Sequence, residues 1–305
     1  MGPRKNIFSR FNKYQRERFP FAILIFTTLS VVLSSAAILY LDNFSWNLHL
    51  IKIVLATVAG IIFMFNVRVL DEVKDFDFDS KHHPERPIQK GKISLKDLLF
   101  INAIFLLVLF FISIYSSYLA FLFLLGALIY SLVAGFDFFM GRKIRKHFFI
   151  YNALCLLQLL LFQMHVYLIL FPTLNFADSL LYVHFFFVLA NSGVIEVGRK
   201  MKVKKNESTG KDTYSSRMGK KRATGFFLAI ILLSFISFSY IFLSIFQLNW
   251  WFLLALIFLI LELGSLVFYI SSDKEIVEKT LEGVGVLFYL SLHMILFLGG
   301  LFNAF

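Results

Sequence analysis

The chain has 305 residues, of which 59% are hydrophobic and 16% are charged, and its formal net charge is +11 at pH 7. This share of apolar side chains exceeds what a soluble core of this size can bury, so composition excludes a purely soluble fold. The basic residues fall between hydrophobic stretches rather than on one polar face, which excludes a typical nucleic-acid-binding protein and indicates membrane topology and phosphate chemistry. The single cysteine, Cys155, lies in a hydrophobic stretch, where it has no partner for an internal disulfide.

Hydropathy predicts an all-α, polytopic membrane protein. A helix needs roughly 20 apolar residues to cross about 30 Å of hydrocarbon. Nine stretches are long enough, at residues 21–41, 49–70, 98–116, 118–136, 148–171, 179–197, 223–246, 249–271 and 283–303. We therefore expect about nine transmembrane helices in one bundle. Residues 1–20 are predicted to form a basic cytoplasmic segment, and residues 21–305 a single transmembrane domain.

The connections between the predicted helices differ in length and charge. Because successive spans cross the membrane in alternating directions, the four long connections lie on the same side of the membrane as the N-terminus. The four short connections lie on the opposite side. Of the thirty Lys and Arg residues, only Lys52 lies near an outer helix end. Because basic residues concentrate on the cytoplasmic side of membrane proteins, the polar face and its site are predicted to be cytoplasmic.

The first acidic motif follows the second predicted span. Asp71, Asp75 and Asp79 recur every four residues. On a helix, four residues turn the side chain by about 40° and advance it by roughly 6 Å, so the three carboxylates share one face. Like charges at this spacing repel, and oxygen ligands of this kind suit Mg²⁺, although a solvated acidic helix end is the alternative. Asp77 points away from that face and is predicted to be solvated.

The segment from Asp71 to Ser94 resembles the first signature of the UbiA superfamily of intramembrane prenyltransferases. In that signature an acidic helix end is followed by a loop of the form Arg-Pro-x-x-x-Gly-x-x-Ser. Asp71 replaces an asparagine and Glu72 replaces an aspartate that is common in the family, and both changes retain oxygen ligands. The remaining matches are Asp75, Asp79, Arg86, Pro87, Gly91 and Ser94.

A second motif follows the sixth predicted span and is similar to the family's Asp-x-x-x-Asp motif with a loop ending in Gly-x-x-Thr. Glu196 matches the first acid, while Gly210 and Thr213 match the end of the loop. Lys200 occupies the position of the second acid. Either Glu207 or Asp212 supplies the missing carboxylate, one metal has fewer ligands, or Arg199 and Lys200 contact a diphosphate directly.

The resemblance implies Mg²⁺-dependent transfer of an isoprenyl group from an allylic diphosphate to a lipophilic acceptor, commonly an aromatic ring, with release of pyrophosphate. Quinone precursors are the family-level expectation for the acceptor. The implied partners are therefore the isoprenyl diphosphate, the acceptor and membrane lipid. The implied catalytic residues are Asp71, Asp75, Asp79 and Glu196, and the implied metal ligands are these four with Asp212. The implied diphosphate ligands are Arg18, Arg86, Lys143, Arg199 and Lys200.

Two other functions are compatible with many spans and membrane-embedded acids. One is phosphoribosyl transfer to a polyprenyl phosphate, which uses similar acidic motifs. The other is secondary transport, which usually places its ion site on broken helices near the membrane midplane. Polar residues within the spans are functional candidates because burial in lipid is costly, and interhelical hydrogen bonding is their structural alternative. They are Gln158, Gln163, His165, His184, Asn191 and Glu262.

Overall fold

The computed structural model describes residues 6–40, 46–207 and 213–303. In these ranges the fold is all-helical, with thirteen α-helices and two short 3-10 turns. The helices are α1 (Ile7–Arg18), α2 (Phe21–Tyr40), α3 (Trp46–Lys74), α4 (Phe76–His82), α5 (Leu95–Ser116), α6 (Tyr118–Gly135), α7 (Arg142–Lys146), α8 (Phe148–Leu170), α9 (Ser179–Gly198), α10 (Tyr214–Met218), α11 (Lys220–Ile245), α12 (Trp250–Ser271) and α13 (Glu275–Asn303).

Nine helices of the described chain are long and apolar enough to span a membrane, so the predicted fold class is confirmed. Two of them extend beyond their predicted spans by four residues or more at one end. The second predicted span ended at residue 70, whereas α3 continues to Lys74, and the ninth began at residue 283, whereas α13 starts at Glu275. Both extensions carry charged residues, which end a hydropathic stretch but do not interrupt backbone hydrogen bonding.

The chain divides into two compact units. The first contains residues up to Val32 and Trp46–Leu174, and the second contains Leu33–Ser45 and residues from Asn175 onward. In the first unit, α3 packs on α5 and α8, and α6 packs on α5 and α8. In the second unit, α9 packs on α11 and α13, and α12 packs on the same two helices.

The N-terminal helix α1 is part of the first unit's packing. Tyr14 is fully buried, and it shares a hydrophobic cluster with Phe65 of α3, Ile93 of the following loop and Leu98 of α5. Arg10 of α1 also forms a two-pronged ion pair with Asp97 of α5, with contacts of 2.6 and 3.2 Å. This basic segment therefore lies against the C-terminal end of α3 and the loop that follows it, where the first acidic motif is found.

Local backbone chemistry explains the loop from Arg86 to Ser94. The Gly91 amide donates to the Ile88 carbonyl and the Lys92 amide donates to the Pro87 carbonyl, which closes the chain into consecutive turns. Gly91 has φ +67°, a left-handed conformation that favours glycine. Ser94 then caps α5, because its hydroxyl accepts from the Asp97 amide while the Asp97 carboxylate accepts from the Ser94 amide.

Candidate active site

The three aspartates of the first motif lie on successive helical turns. Backbone hydrogen bonds run from the Asp75 amide to the Asp71 carbonyl at 2.9 Å and from the Asp79 amide to the Asp75 carbonyl at 2.8 Å. The same i to i−4 pattern continues at the His83 amide. The helical register therefore continues from the end of α3 through α4, and the spacing predicted from the sequence is present.

Each of these aspartates is paired with a basic side chain. Asp71 contacts the Lys74 ammonium at 2.7 Å, and Asp75 lies 3.4 Å from the Arg145 guanidinium on α7. Asp79 is buried and forms a short ion pair with Arg86, the first residue of the Arg-Pro loop. Cations from three different segments therefore compensate the negative charges that the spacing brings together.

Glu72 has a different environment from the three aspartates. Only 2% of its side chain is exposed, and one carboxylate oxygen accepts from the Arg68 guanidinium at 2.5 Å and from Arg18 Nε at 3.2 Å. The Tyr14 hydroxyl donates to the same oxygen at 3.2 Å. Burial, with the charge of Glu72, raises the pKa of the Tyr14 phenol, so it remains a hydrogen-bond donor. Glu72 thus joins α1 to α3.

Sequence reasoning missed Asp137 and Tyr151. Asp137 accepts from Arg145 at 2.7 Å and from the Tyr151 hydroxyl at 3.0 Å, while Lys74 donates to that hydroxyl at 3.2 Å. Through this network the loop before α7 supports the cations beside Asp71 and Asp75. Asp137 is the first of three consecutive non-glycine residues with φ between 52° and 55°, a conformation that no sequence motif indicates.

The basic residues of the predicted diphosphate set lie in three environments. Arg18 and Arg86 are engaged by buried carboxylates, as described above. Lys143 is exposed on α7, two residues before Arg145. Arg199 and Lys200 follow α9 in the second unit.

In the second motif, a single carboxylate is paired with two cations. Arg199 contacts one oxygen of Glu196 at 2.6 Å, and Lys200 contacts the other oxygen at 2.6 Å. The lysine that replaces the family's second acid is therefore an ion-pair partner of the first acid. Burial and the charge of Glu196 raise the pKa of the nearby Tyr214 phenol, which keeps it protonated.

The loop of the second motif ends as the first loop does. Thr213 caps α10 through a reciprocal hydrogen-bonding pattern with Ser216, as Ser94 caps α5. The threonine and serine that end the two family signatures thus have the same structural role. Of the two acids considered as replacements, Glu207 follows a 3-10 turn of Lys204–Asn206, while Asp212, like Gly210, lies outside the described residues.

The two motifs differ in how well they suit Mg²⁺. Around the first motif, burial raises the pKa of Asp75 and the neighbouring charges of Asp71 and Asp79 raise it further, while Lys74 and Arg145 oppose them. Carboxylates on adjacent turns destabilise one another's negative charge. A divalent cation would stabilise these charges, so the carboxylates are suitable metal ligands. The spacing and donor chemistry of the first motif therefore suit the ion, although the described residues hold no assembled group of three or more His, Cys, Asp or Glu side chains that could bind a metal as they stand. Glu196 alone, with both oxygens on cations, does not supply a comparable set.

Three of the six polar candidates within the spans form hydrogen bonds between helices. The His165 ring bonds to the Ala120 carbonyl at 2.8 Å, and the His184 ring to the Ser34 hydroxyl at 3.1 Å. Asn191 donates to the Tyr289 carbonyl at 3.1 Å and accepts from Ser234 at 2.9 Å. For these three residues, interhelical hydrogen bonding is therefore confirmed as the structural alternative to a functional role. Glu262 differs from them, because its Oε1 atom has no hydrogen-bond partner among the described residues.

A model of the UbiA prenyltransferase family matches residues 23–292, which is most of the chain, so the chain belongs to this family and is an integral membrane prenyltransferase. The resemblance predicted from the two motifs is thereby confirmed. No curated protein matches the chain significantly.

Solved structures of similar proteins support the same fold. A UbiA homologue from Aeropyrum pernix K1 is 14% identical with a TM-score of 0.66, covering 92% of this chain and 98% of its own. A digeranylgeranylglyceryl phosphate synthase is 14% identical with a TM-score of 0.63, covering 96% and 98%. A UbiA homologue from Archaeoglobus fulgidus bound to GPP and Mg²⁺ is 16% identical with a TM-score of 0.54, covering 93% and 99%.

Replacing Glu72 with glutamine should destabilise the first unit by about 3 kcal/mol, because two guanidinium groups lose their buried counter-charge. The control is Glu17→Gln, which breaks a half-exposed pair with Lys92 and should cost less than about 1 kcal/mol. Thermal unfolding of the detergent-solubilised protein measures both variants. Equal shifts in the unfolding midpoint would contradict the anchoring role of Glu72.

Proposed function

We propose that the protein catalyses Mg²⁺-dependent transfer of an isoprenyl group from an allylic diphosphate to a lipophilic acceptor with an aromatic ring. The observation that carries this proposal is the run of three carboxylates, Asp71, Asp75 and Asp79, on successive turns and surrounded by basic side chains. Family membership supports the reaction class. The Archaeoglobus fulgidus homologues were studied with GPP or DMAPP and Mg²⁺, which supports the donor and the ion.

Asp71, Asp75 and Asp79 are the proposed Mg²⁺ ligands, and a bound ion would supply Lewis-acid stabilisation to the departing diphosphate. Their present cation partners would then be available to an anionic substrate. Arg86 contacts Asp79 from the Arg-Pro loop, and Arg145 contacts Asp75 from α7. Each guanidinium can therefore exchange a carboxylate oxygen for a phosphate oxygen of similar geometry. The metal role predicted for Glu196 and Asp212 stays a prediction.

Arg199 and Lys200 are proposed to donate to the diphosphate directly, with Glu196 holding both side chains in place. Together the three residues carry a net charge of +1, which favours an anionic ligand more than a second metal ion. The exposed Lys143 is proposed as a further phosphate contact, and so is Arg18, whose Nε contacts Glu72.

In the proposed reaction, the bond between the allylic carbon and the diphosphate oxygen breaks, and the acceptor's nucleophilic atom bonds to that carbon. The acceptor loses a proton, and pyrophosphate leaves. An allylic cation reacts rapidly with water, so the apolar helices around the site would protect it until the acceptor captures it. The quinone-precursor class of acceptor is consistent with a membrane-embedded enzyme whose substrates both partition into lipid.

The active site is proposed to face the cytoplasm. The connections after α3 and α9, which carry the two motifs, and the loop before α8 are rich in Lys and Arg, while the connection between α8 and α9 has none. This asymmetry supports a cytoplasmic location for the motif-bearing ends of the helices.

Replacing Asp75 or Asp79 with asparagine should abolish Mg²⁺-dependent pyrophosphate release, because the amide cannot contribute negative charge to the metal site. Asp77→Asn is the matched control, since Asp77 lies in the same segment but is exposed. Pyrophosphate release by the purified variants is measured with an allylic diphosphate, and thermal unfolding shows whether each remains folded. Wild-type turnover by folded Asp75→Asn and Asp79→Asn would refute the proposed metal site.

Thiol labelling tests the orientation. In a Cys155→Ala background, Ala177→Cys in the connection between α8 and α9 should react with a membrane-impermeant maleimide in intact cells. Lys146→Cys at the end of α7 should react only after the membrane is permeabilised, because this loop is predicted to be cytoplasmic. The reverse pattern would place the proposed site on the opposite side of the membrane.

A further inference from the structure

Glu262 is a buried carboxyl group within a membrane-spanning helix. It lies in the middle of α12, and its side chain is fully buried. One carboxyl oxygen, Oε1, has no hydrogen-bond partner among the described residues, and the other lies 3.4 Å from the Ser265 hydroxyl. No basic side chain of the described chain forms an ion pair with it. This environment contrasts with that of Glu72 and Glu196, each of which has two cations.

The Oε1 atom lies beside Gly285 of α13, near the part of α9 that carries Val194. A Cβ atom added to Gly285 of α13 would lie 3.5 Å from Glu262 Oε1 and 3.6 Å from a methyl group of Val194 on α9. Val194 precedes Glu196 by two residues on the same helix. Because Gly285 has no side chain, α13 makes no side-chain contact with Oε1 at this position.

Burial of a carboxyl oxygen without a partner is unfavourable, and it is more unfavourable in a region without water. By contrast, His165, His184 and Asn191, which also lie within the spans, have hydrogen-bond partners on neighbouring helices. A carboxyl oxygen in this position can be satisfied by a ligand that carries an O–H donor. A diphosphate cannot serve, because it brings further negative charge and accepts hydrogen bonds.

We propose that Glu262 binds a hydroxyl group of the acceptor and takes its proton during prenyl transfer. This inference rests on the proposed function, because it assigns the second substrate of the same reaction. The acceptor O–H donates to Oε1, and the acceptor bonds to the allylic carbon as the carbon–oxygen bond to the diphosphate breaks. The proton passes to Oε1, and the bonding electrons of the broken bond leave with pyrophosphate, so charge and atoms balance.

Glu262→Gln keeps the shape of the side chain and removes its capacity to accept a proton. With an allylic diphosphate and a long-chain 4-alkylphenol or alcohol as probes, its rate of prenylated-product formation should fall about 100-fold, within the usual contribution of a positioned base. Release of pyrophosphate in the absence of acceptor should stay within about twofold of wild type. Glu275→Gln, which changes an exposed acid at the start of α13, should match wild type in both assays.

Gly285→Ala tests the same contact from the opposite helix. The added methyl group fits at ordinary van der Waals distance, so the variant should fold, but it covers Oε1. The KM for the acceptor probe should rise about tenfold with little change in the KM for the diphosphate, as one methyl group in a binding site can cause. Gly283→Ala on the same helix meets no atom within 4 Å and should leave both values unchanged.

The outcomes separate this inference from the function on which it rests. Wild-type rates of product formation by Glu262→Gln, or equal effects of Gly285→Ala and Gly283→Ala on the acceptor KM, would overturn the role of Glu262 and leave the metal site intact. If wild-type protein itself released no pyrophosphate from any allylic diphosphate, the proposed function would fail. If Glu262→Gln does not fold, the glycine pair decides the inference.

Discussion

Charge compensation at the C-terminal end of α3 determines how this site is built. Asp71, Glu72, Asp75 and Asp79 lie within nine residues, where a membrane-spanning helix ends, and their mutual repulsion must be offset by cations. The chain supplies those cations from separate segments: α1, α3, the Arg-Pro loop and α7. The acids thereby fix the positions of segments that would otherwise be loosely held connections.

Glu72 has a different role from the partly exposed Asp71 and Asp75. Glu72 is enclosed and holds Arg18, Arg68 and Tyr14, so its energetic role is to join helices. Asp71 and Asp75 remain partly exposed, with side-chain exposures of 42% and 34%, and their partners reach them from one side. This division explains how an acidic helix end can combine a stable anchor with carboxylates that are available to a metal ion.

The fold and the first motif could be predicted because their signals are local. Hydrophobic length alone identifies nine spans, and four-residue spacing alone places Asp71, Asp75 and Asp79 on one face. The contributions of Tyr14, Asp137 and Tyr151 could not be predicted, since they depend on how distant segments pack. Asp137 in particular requires a left-handed turn of non-glycine residues. Lys200 shows the same limit: sequence identifies the missing acid, but only geometry shows the lysine paired with Glu196.

Prenyl transfer by this protein is best tested by identifying the reaction products directly. Purified protein in a lipid environment is incubated with Mg²⁺, allylic diphosphates of several chain lengths and a panel of phenolic acceptors, and the products are identified by mass spectrometry. We expect a prenylated acceptor and pyrophosphate in equal amounts, both dependent on Mg²⁺. Consumption of a phosphoribosyl diphosphate to form a phosphoribosyl lipid, with no reaction of any allylic diphosphate, would contradict it.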